Sequence, residues 1–346
     1  MQSRRQFLKF AGAAGSTAFL CPCHSSAQPN PAAAPHRIDV HHHVTPPIWM
    51  REAREQIAAT NRNLSPIADW SVQRSLDEMD RNGVRTAMAS VTNPGIWFGD
   101  VAAARKLARG CNEYLAQLVA DRPQRFGAFA ALPLPDVEGS LAEIAYAFDV
   151  LKCDGIGLMT SYDDKWPGDV AFAPAFEELN RRKAVVYFHP TSTNCCSAHQ
   201  PDVSLSVIEF PIDTTRAVVS LLFSGSFGKY PDIRWIFSHG GAAVPPLAAR
   251  MTRIMESQPQ LARRIPNGAM YELKRLFYDT ALSANPVTMS GLLKLATASQ
   301  VVFGTDYPLQ PSAAAVEGLA GLGLSADELQ AIEADNARKL LPRLRA

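Results

Sequence analysis

The sequence predicts an α/β protein built as one (β/α)8 TIM barrel, and three observations predict it. Short apolar runs of strand character alternate with helix-patterned segments eight times from residue 37 onward. Several runs are apolar almost without interruption, as in Ala184-Val185-Val186-Tyr187-Phe188, which is how a strand buried on both faces reads. A histidine or an acid follows several runs directly, where the strand ends of a barrel converge on one mouth.

The strands expected are 38–44, 85–91, 126–131, 155–159, 185–189, 235–238, 276–280 and 301–304. Between them, 70–82 sets Val72, Leu76 and Met79 on one helical face, with Gly83 as its stop. Residues 100–121 set Val101, Ala104, Ala108, Cys111, Leu115 and Leu118 on one face. Pro135-Asp136 opens a third helix, and 172–183 forms a fourth. Helices at 206–227 (with Pro211 in its first turns), 242–257, 286–298 and 325–341 complete the set. Residues 50–69 and 258–271 are extra segments, read as small caps over the mouth or subunit contacts.

The first 36 residues differ from the rest. Ser3-Arg4-Arg5-Gln6-Phe7-Leu8-Lys9 resembles a twin-arginine export signal, followed by an apolar run to Leu20 and Ser25-Ser26-Ala27 as a cleavage site. That run is too short for a membrane span. The expected organisation is a cleavable signal at 1–27, a linker at 28–36 and the barrel at 37–346. The signal implies the export machinery as a partner and a periplasmic location, with no membrane span in the mature form.

Composition excludes several classes. Lys and Arg total 34 against 33 Asp and Glu, with no basic stripe, so nucleic acid is not an expected partner. Of the six cysteines, Cys111 and Cys153 fall at packed apolar positions, whereas Cys195-Cys196 fall in a loop, where an oxidising compartment allows a disulfide. The spacing fits no zinc knuckle.

Asp39-Val40-His41-His42-His43 carries the strongest local signal. Alternate residues of a strand share a face, so His41 and His43 point together and His42 points away. Two imidazoles on one face make half of a metal site, although alone they also suit a solvated patch. His189 ends the fifth strand, His239 the sixth and Asp306 the eighth. One such histidine is commonly a hydrogen-bonded core residue; the set, converging on one mouth, is not. His36, His42 and His199 receive no role, and Glu209, Asp213 and Arg216 are read as packing, solvated or supporting groups.

Together, Asp-x-His-x-His on the first strand, His-Pro after the fifth, His-Gly-Gly after the sixth and Gly-Thr-Asp-Tyr-Pro on the eighth resemble the amidohydrolase superfamily. More narrowly they resemble its decarboxylase branch, which acts on aminocarboxymuconate semialdehyde, resorcylate and methylsalicylate. The resemblance implies that His41, His43, His189 and Asp306 bind one divalent metal, zinc by default with manganese as the alternative. It implies that His239 acts as acid/base on metal-bound water, with Asp306 also catalytic. Gly155-Ile156-Gly157-Leu158-Met159 offers no lysine where two-metal relatives carry one, so a single metal is expected. It also implies that Arg250 grips the carboxylate of a substrate in a neighbouring subunit, making the protein a homodimer. Arg253 competes for that role, and an exposed helix arginine is the plain alternative. The family's second carboxylate-binding arginine has no counterpart at Ile67-Ala68-Asp69-Trp70, which favours an aromatic acid with fewer charges. Trp97 and Phe98 wall an aromatic pocket or simply pack.

The first reading is therefore a metal-dependent, non-oxidative decarboxylase of a small hydroxylated aromatic or related unsaturated carboxylic acid. The second is a lactonase- or esterase-type hydrolase on the same site, and the third a non-catalytic metal-binding protein.

Overall fold

The computed structural model describes residues 36–60, 65–191 and 203–345. The proposed signal, the linker up to Pro35, Cys195-Cys196 and His199 lie outside the described residues.

The strands are β1 (Arg37–His43), β2 (Val84–Ser90), β3 (Phe126–Ala131), β4 (Gly155–Met159), β5 (Val185–His189), β6 (Arg234–Phe237), β7 (Phe277–Asp279) and β8 (Val301–Val302). They pair in parallel in chain order. Past the end of β8 the chain closes the ring onto β1. Val40 N–H donates to Phe303 O at 2.9 Å, Asp306 N–H to His41 O at 2.8 Å and His43 N–H to Tyr307 O at 2.7 Å. The predicted eighth strand therefore does its work in a two-residue strand and the turn after it. Gly304 permits that turn: a Cβ there would lie 2.9 Å from His41 Cβ and 3.0 Å from Asp279 Cβ.

Three apolar layers hold the frame. Inside the barrel, Ile38, Val40, Met88, Tyr187, Ile236 and Val302 pack together. Ala337, Leu340 and Leu341, from the last helix and its end, join this cluster. Outside it, the helices bury one face each on the strands; of the face predicted on Val101–Asp121, all but Val101 is buried. A third cluster joins Trp49, Ala53, Ile57 and Ile67 of the cap segments to Val91, Ile96, Leu107 and Cys111. The segment expected to be a cap thus forms three short helices, Pro47–Glu52, Arg54–Thr60 and Ser65–Ala68, two of which border the mouth cavities. Cys111 and Cys153 are buried free thiols, as expected, and burial pushes both up to about 12.

Two differences from the sequence expectation are local. Ser312–Ala320 is a helix that the pattern did not reveal, because its Ser-Ala-Ala-Ala-Val-Glu-Gly-Leu-Ala sequence has little polar face to set against an apolar one. The last predicted helix is interrupted by a π-helical turn at Ala331–Asp335, which carries buried Ile332 and Glu333. No described helix is long and apolar enough to cross a membrane.

Candidate metal centre and active site

The four predicted ligands meet at the C-terminal mouth. One donor atom from each of His41, His43, His189 and Asp306 lies within 4.8 Å of every other, and all four residues are buried. His41 Nε2 and His43 Nε2 are 3.0 Å apart. Asp306 Oδ1 lies 3.1 Å from the first and 3.2 Å from the second without aligning as a hydrogen-bond acceptor of either. His189 Nε2 is 3.9 Å from the same oxygen and has no hydrogen-bond partner.

The outer nitrogens explain why the inner ones converge as lone pairs. His41 Nδ1 donates to Asp279 Oδ2 at 2.8 Å. His189 Nδ1 donates to Pro190 O at 2.9 Å. Each of these bonds fixes the tautomer, leaving Nε2 unprotonated in the neutral ring. His43 Nδ1 is 3.2 Å from Ser90 Oγ. Buried lone pairs facing a carboxylate across about 3 Å need a cation among them, and imidazole and carboxylate donors about 2 Å from a divalent ion fit that span.

The electrostatics agree. Burial works to lower His41 but is outweighed by Asp279 and Asp306, so its pKa rises to about 10. Without an ion, the cluster takes a proton there. Burial, with the charge on His41, drives His43 down to about 4 despite Asp306. Burial, with the neighbouring His43, holds His189 well below the ordinary value. Burial alone would raise Asp306, but His41 charge and the adjacent His189 and His239 hold it well below the carboxylate range.

His239 stands beside the ligand group rather than in it. Its Nε2 is 3.6 Å from Asp306 Oδ2 and has no hydrogen-bond partner. Both residues have left-handed backbones, φ 56° and 66°, a strain of about 1–3 kcal/mol each that recurs where a side chain must be aimed. The His-Gly-Gly turn depends on its second glycine. Gly241 has φ 71°, and a Cβ there would sit 2.6 Å from the Tyr278 ring.

Asp279 is the functional residue that sequence reasoning missed. Fully buried, it accepts from His41 Nδ1 through one oxygen and from the backbone N–H of His239 at 2.8 Å through the other. It thus orients His41 and the turn that bears His239 at once. Its signal was available: an acid closing an apolar strand, as Asp306 follows another. His42 lies opposite His41 and His43, as their alternation demands, past a register shift between Asp39 and His42 that follows Ile38 and Val40; it is buried, bonded to Asp39 and Ser75 and stacked on Tyr307. Asp39 in turn accepts from Thr305 Oγ1 at 2.6 Å and fixes the turn that bears Asp306.

Two cavities lie at the C-terminal ends of the strands. One, of about 790 Å3, is bordered by His189, His239 and Asp306 together with Phe210, Leu282 and Leu309. The other, of about 360 Å3, is bordered by Trp97 and Phe98 with Phe129, Met159 and Tyr162, and Trp97 and Phe98 also pack against the apolar clusters. Arg250 and Arg253 are exposed on the helix Val244–Glu256 and border neither cavity of their own chain. Asp213 is buried and accepts from Thr160, Ser161 and Trp166, a supporting role for the loop after β4. Glu209 and Arg216 are half-buried.

The amidohydrolase family profile matches residues 38–343, nearly the whole described chain. The chain belongs to the amidohydrolase family. This amidohydrolase is 36% identical over 327 residues to a decarboxylase of Aspergillus niger, covering 89% of this chain and 88% of that protein. It is 34% identical over 316 residues to the 6-methylsalicylic acid decarboxylase of Penicillium expansum, covering 89% and 97%. It also has the fold of a dihydroxybenzoic acid decarboxylase from Polaromonas, solved with manganese and the inhibitor 2-nitroresorcinol. There the TM-score is 0.78 at 21% identity, covering 90% of this chain and 98% of that one.

Proposed function

We propose that this chain is a metal-dependent, non-oxidative decarboxylase of a hydroxylated aromatic acid. The observation that carries the reading is the buried set of three histidines and one aspartate with His239 beside it but outside it. A metal store needs the ligands; it does not need a further imidazole aimed at the same place. The relatives that act on aromatic acids support the choice of reaction over ester or lactone hydrolysis.

His41, His43, His189 and Asp306 hold the ion, which we read as zinc with manganese as the alternative. When bound, it supplies Lewis-acid charge to the substrate's oxygens. His239 in its protonated form delivers a proton from Nε2 to the ring carbon that bears the carboxylate. The carbon–carboxylate bond then breaks, its electron pair restores the aromatic ring, and CO2 leaves. One proton is consumed per turnover, and His239 regains it from solvent through the larger cavity. Asp306 Oδ2, 3.6 Å away, steadies the charged imidazole between turnovers. Asp279 holds the His239 backbone and so sets where that proton is offered.

Turnover in D2O tests this directly. Deuterium on the carbon that lost the carboxylate supports proton delivery, whereas a ring-opened or ester-cleaved product transfers the reading to hydrolysis.

Two further parts of the reading concern the assembly. Arg250, exposed on its own chain, is proposed to reach the substrate carboxylate of a second copy in a homodimer. The Arg4-Arg5 signal is proposed to send the folded, metal-loaded protein to the periplasm. Lysine at both positions should then leave it in the cytoplasm, and unchanged location would refute the signal.

A further inference from the structure

We infer that the smaller cavity is a ring-substituent pocket, made by Gly157, for an apolar alkyl group larger than a methyl. The inference rests on the decarboxylase reading for the placement of the ring, but its binding test does not.

Thr60 borders both cavities. On the β5 side, His189 borders one and Thr191, two residues on, the other. The cavity at the ligand cluster is already of a size that holds a whole small ligand, about 300–1,000 Å3, so a single aromatic ring leaves the second cavity for something attached to it.

The chemistry of the second cavity's lining selects what that group is. Its apolar wall is Trp97, Phe98, Phe129, Met159 and Leu205. Several of its polar side chains are already engaged in hydrogen bonds within the protein. Ser161 donates to Asp213, Thr191 to Asn93 and Trp97 to Asp163, while the Tyr162 hydroxyl accepts from Met159 N–H. Asp163, at the exposed rim, is the one charged side chain on the described lining, and it is anionic. A second carboxylate finds no cation there; an alkyl group loses only water.

The space comes from β4. Alternate residues Gly155, Gly157 and Met159 share a face of that strand, and Gly157 borders the cavity. A Cβ at Gly157 would meet Phe129 Cβ at 3.5 Å and Ser90 Cβ at 3.9 Å, ordinary contact, and its φ is unremarkable for any residue. Nothing in the backbone demands glycine at this position. The missing side chain instead leaves floor space beneath the aromatic wall, and a branched side chain fills it.

The experiment takes the metal-loaded protein and salicylates carrying hydrogen, methyl, propyl or pentyl at the 6-position. CO2 release gives kcat/KM, and calorimetry of the His239→Ala variant gives Kd without turnover. Both should improve roughly threefold to fourfold per methylene until the pocket is full. Gly157→Leu should abolish that gain while keeping the unsubstituted acid, and Gly157→Ala should shorten the longest chain accepted. The alanine variant keeps the question answerable if the leucine variant fails to fold. A flat series in wild-type protein, by turnover and by Kd, overturns the pocket and leaves the decarboxylase reading intact. A graded series that persists in both variants overturns the role of Gly157. Graded Kd values without CO2 from any acid support the pocket and sink the decarboxylase reading instead.

Discussion

Asp279 serves two groups with different tasks through one carboxylate. A carboxylate behind a ligating histidine fixes its tautomer and raises its basicity, and losing such a partner typically costs 10–100-fold in metal affinity. We therefore expect Asp279→Asn to weaken metal binding by about that factor in a chelator competition. The same substitution should lower kcat at saturating metal, since the His239 turn loses its anchor. A variant with full affinity and full kcat contradicts the assignment. His239→Ala should keep its metal and lose about 10²–10⁴-fold in kcat, the range of a positioned proton donor. Metal lost along with activity would instead make His239 a ligand.

The raised pKa of His41 makes a pH prediction with a definite sign. The metal-free protein holds a proton on His41 up to about pH 10, and the ion must displace it. Apparent metal affinity should rise about tenfold per pH unit between pH 7 and 9, with about one proton released, read by calorimetry in buffers of different ionisation enthalpy. Because the folded pKa lies above the unfolded value of 6.5, the stability this proton lends the metal-free protein is fully present below 6.5 and lost as pH rises through about 10. Metal-loaded protein should not show that loss.

Among the elements, β1, β5 and the turns after β6 and β8 were the most legible parts of the sequence. An uninterrupted apolar run that ends in histidine suits a strand buried on both faces and opening onto a polar mouth. Asp279 was overlooked because the strand expected at 276–280 placed it inside the run, whereas β7 ends on it. The Ser312–Ala320 helix was overlooked because alanines satisfy a helix without marking a face. His42 shows the limit of parity: alternation gives the direction of a side chain, but not that a helix covers it. The turns after β6 and β8 also give a stability prediction. Gly241→Ala must hold an unfavourable positive φ and push into the Tyr278 ring, so it should cost about 2 kcal/mol or more in denaturant unfolding. An unchanged midpoint would show that the turn relaxes freely. On the helix Val244–Glu256, Arg250→Ala should lower kcat/KM at least tenfold with little change in melting temperature. The opposite pattern removes Arg250 from the site.

At the scale of the whole molecule, the barrel separates support from chemistry. Ala337, Leu340 and Leu341 join the apolar interior, while the C-terminal mouth gathers buried polar atoms without hydrogen-bond partners, among them His189 Nε2, His239 Nε2 and Asp306 Oδ1. That division made the fold legible from alternation alone and the ligand set legible from strand ends. The cavity walls were not legible, because Phe129, Met159, Tyr162 and Leu205 come from three separate stretches of chain that only the closed barrel unites. The central claim is that this site removes CO2 from a hydroxylated aromatic acid using its metal. The measurement that tests it most directly is CO2 release from purified protein against a panel of hydroxybenzoic acids, metal-loaded and chelated. Release is expected from at least one acid, abolished by the chelator and restored by adding back zinc or manganese. No release from any acid, with about one metal bound per chain, would contradict the claim.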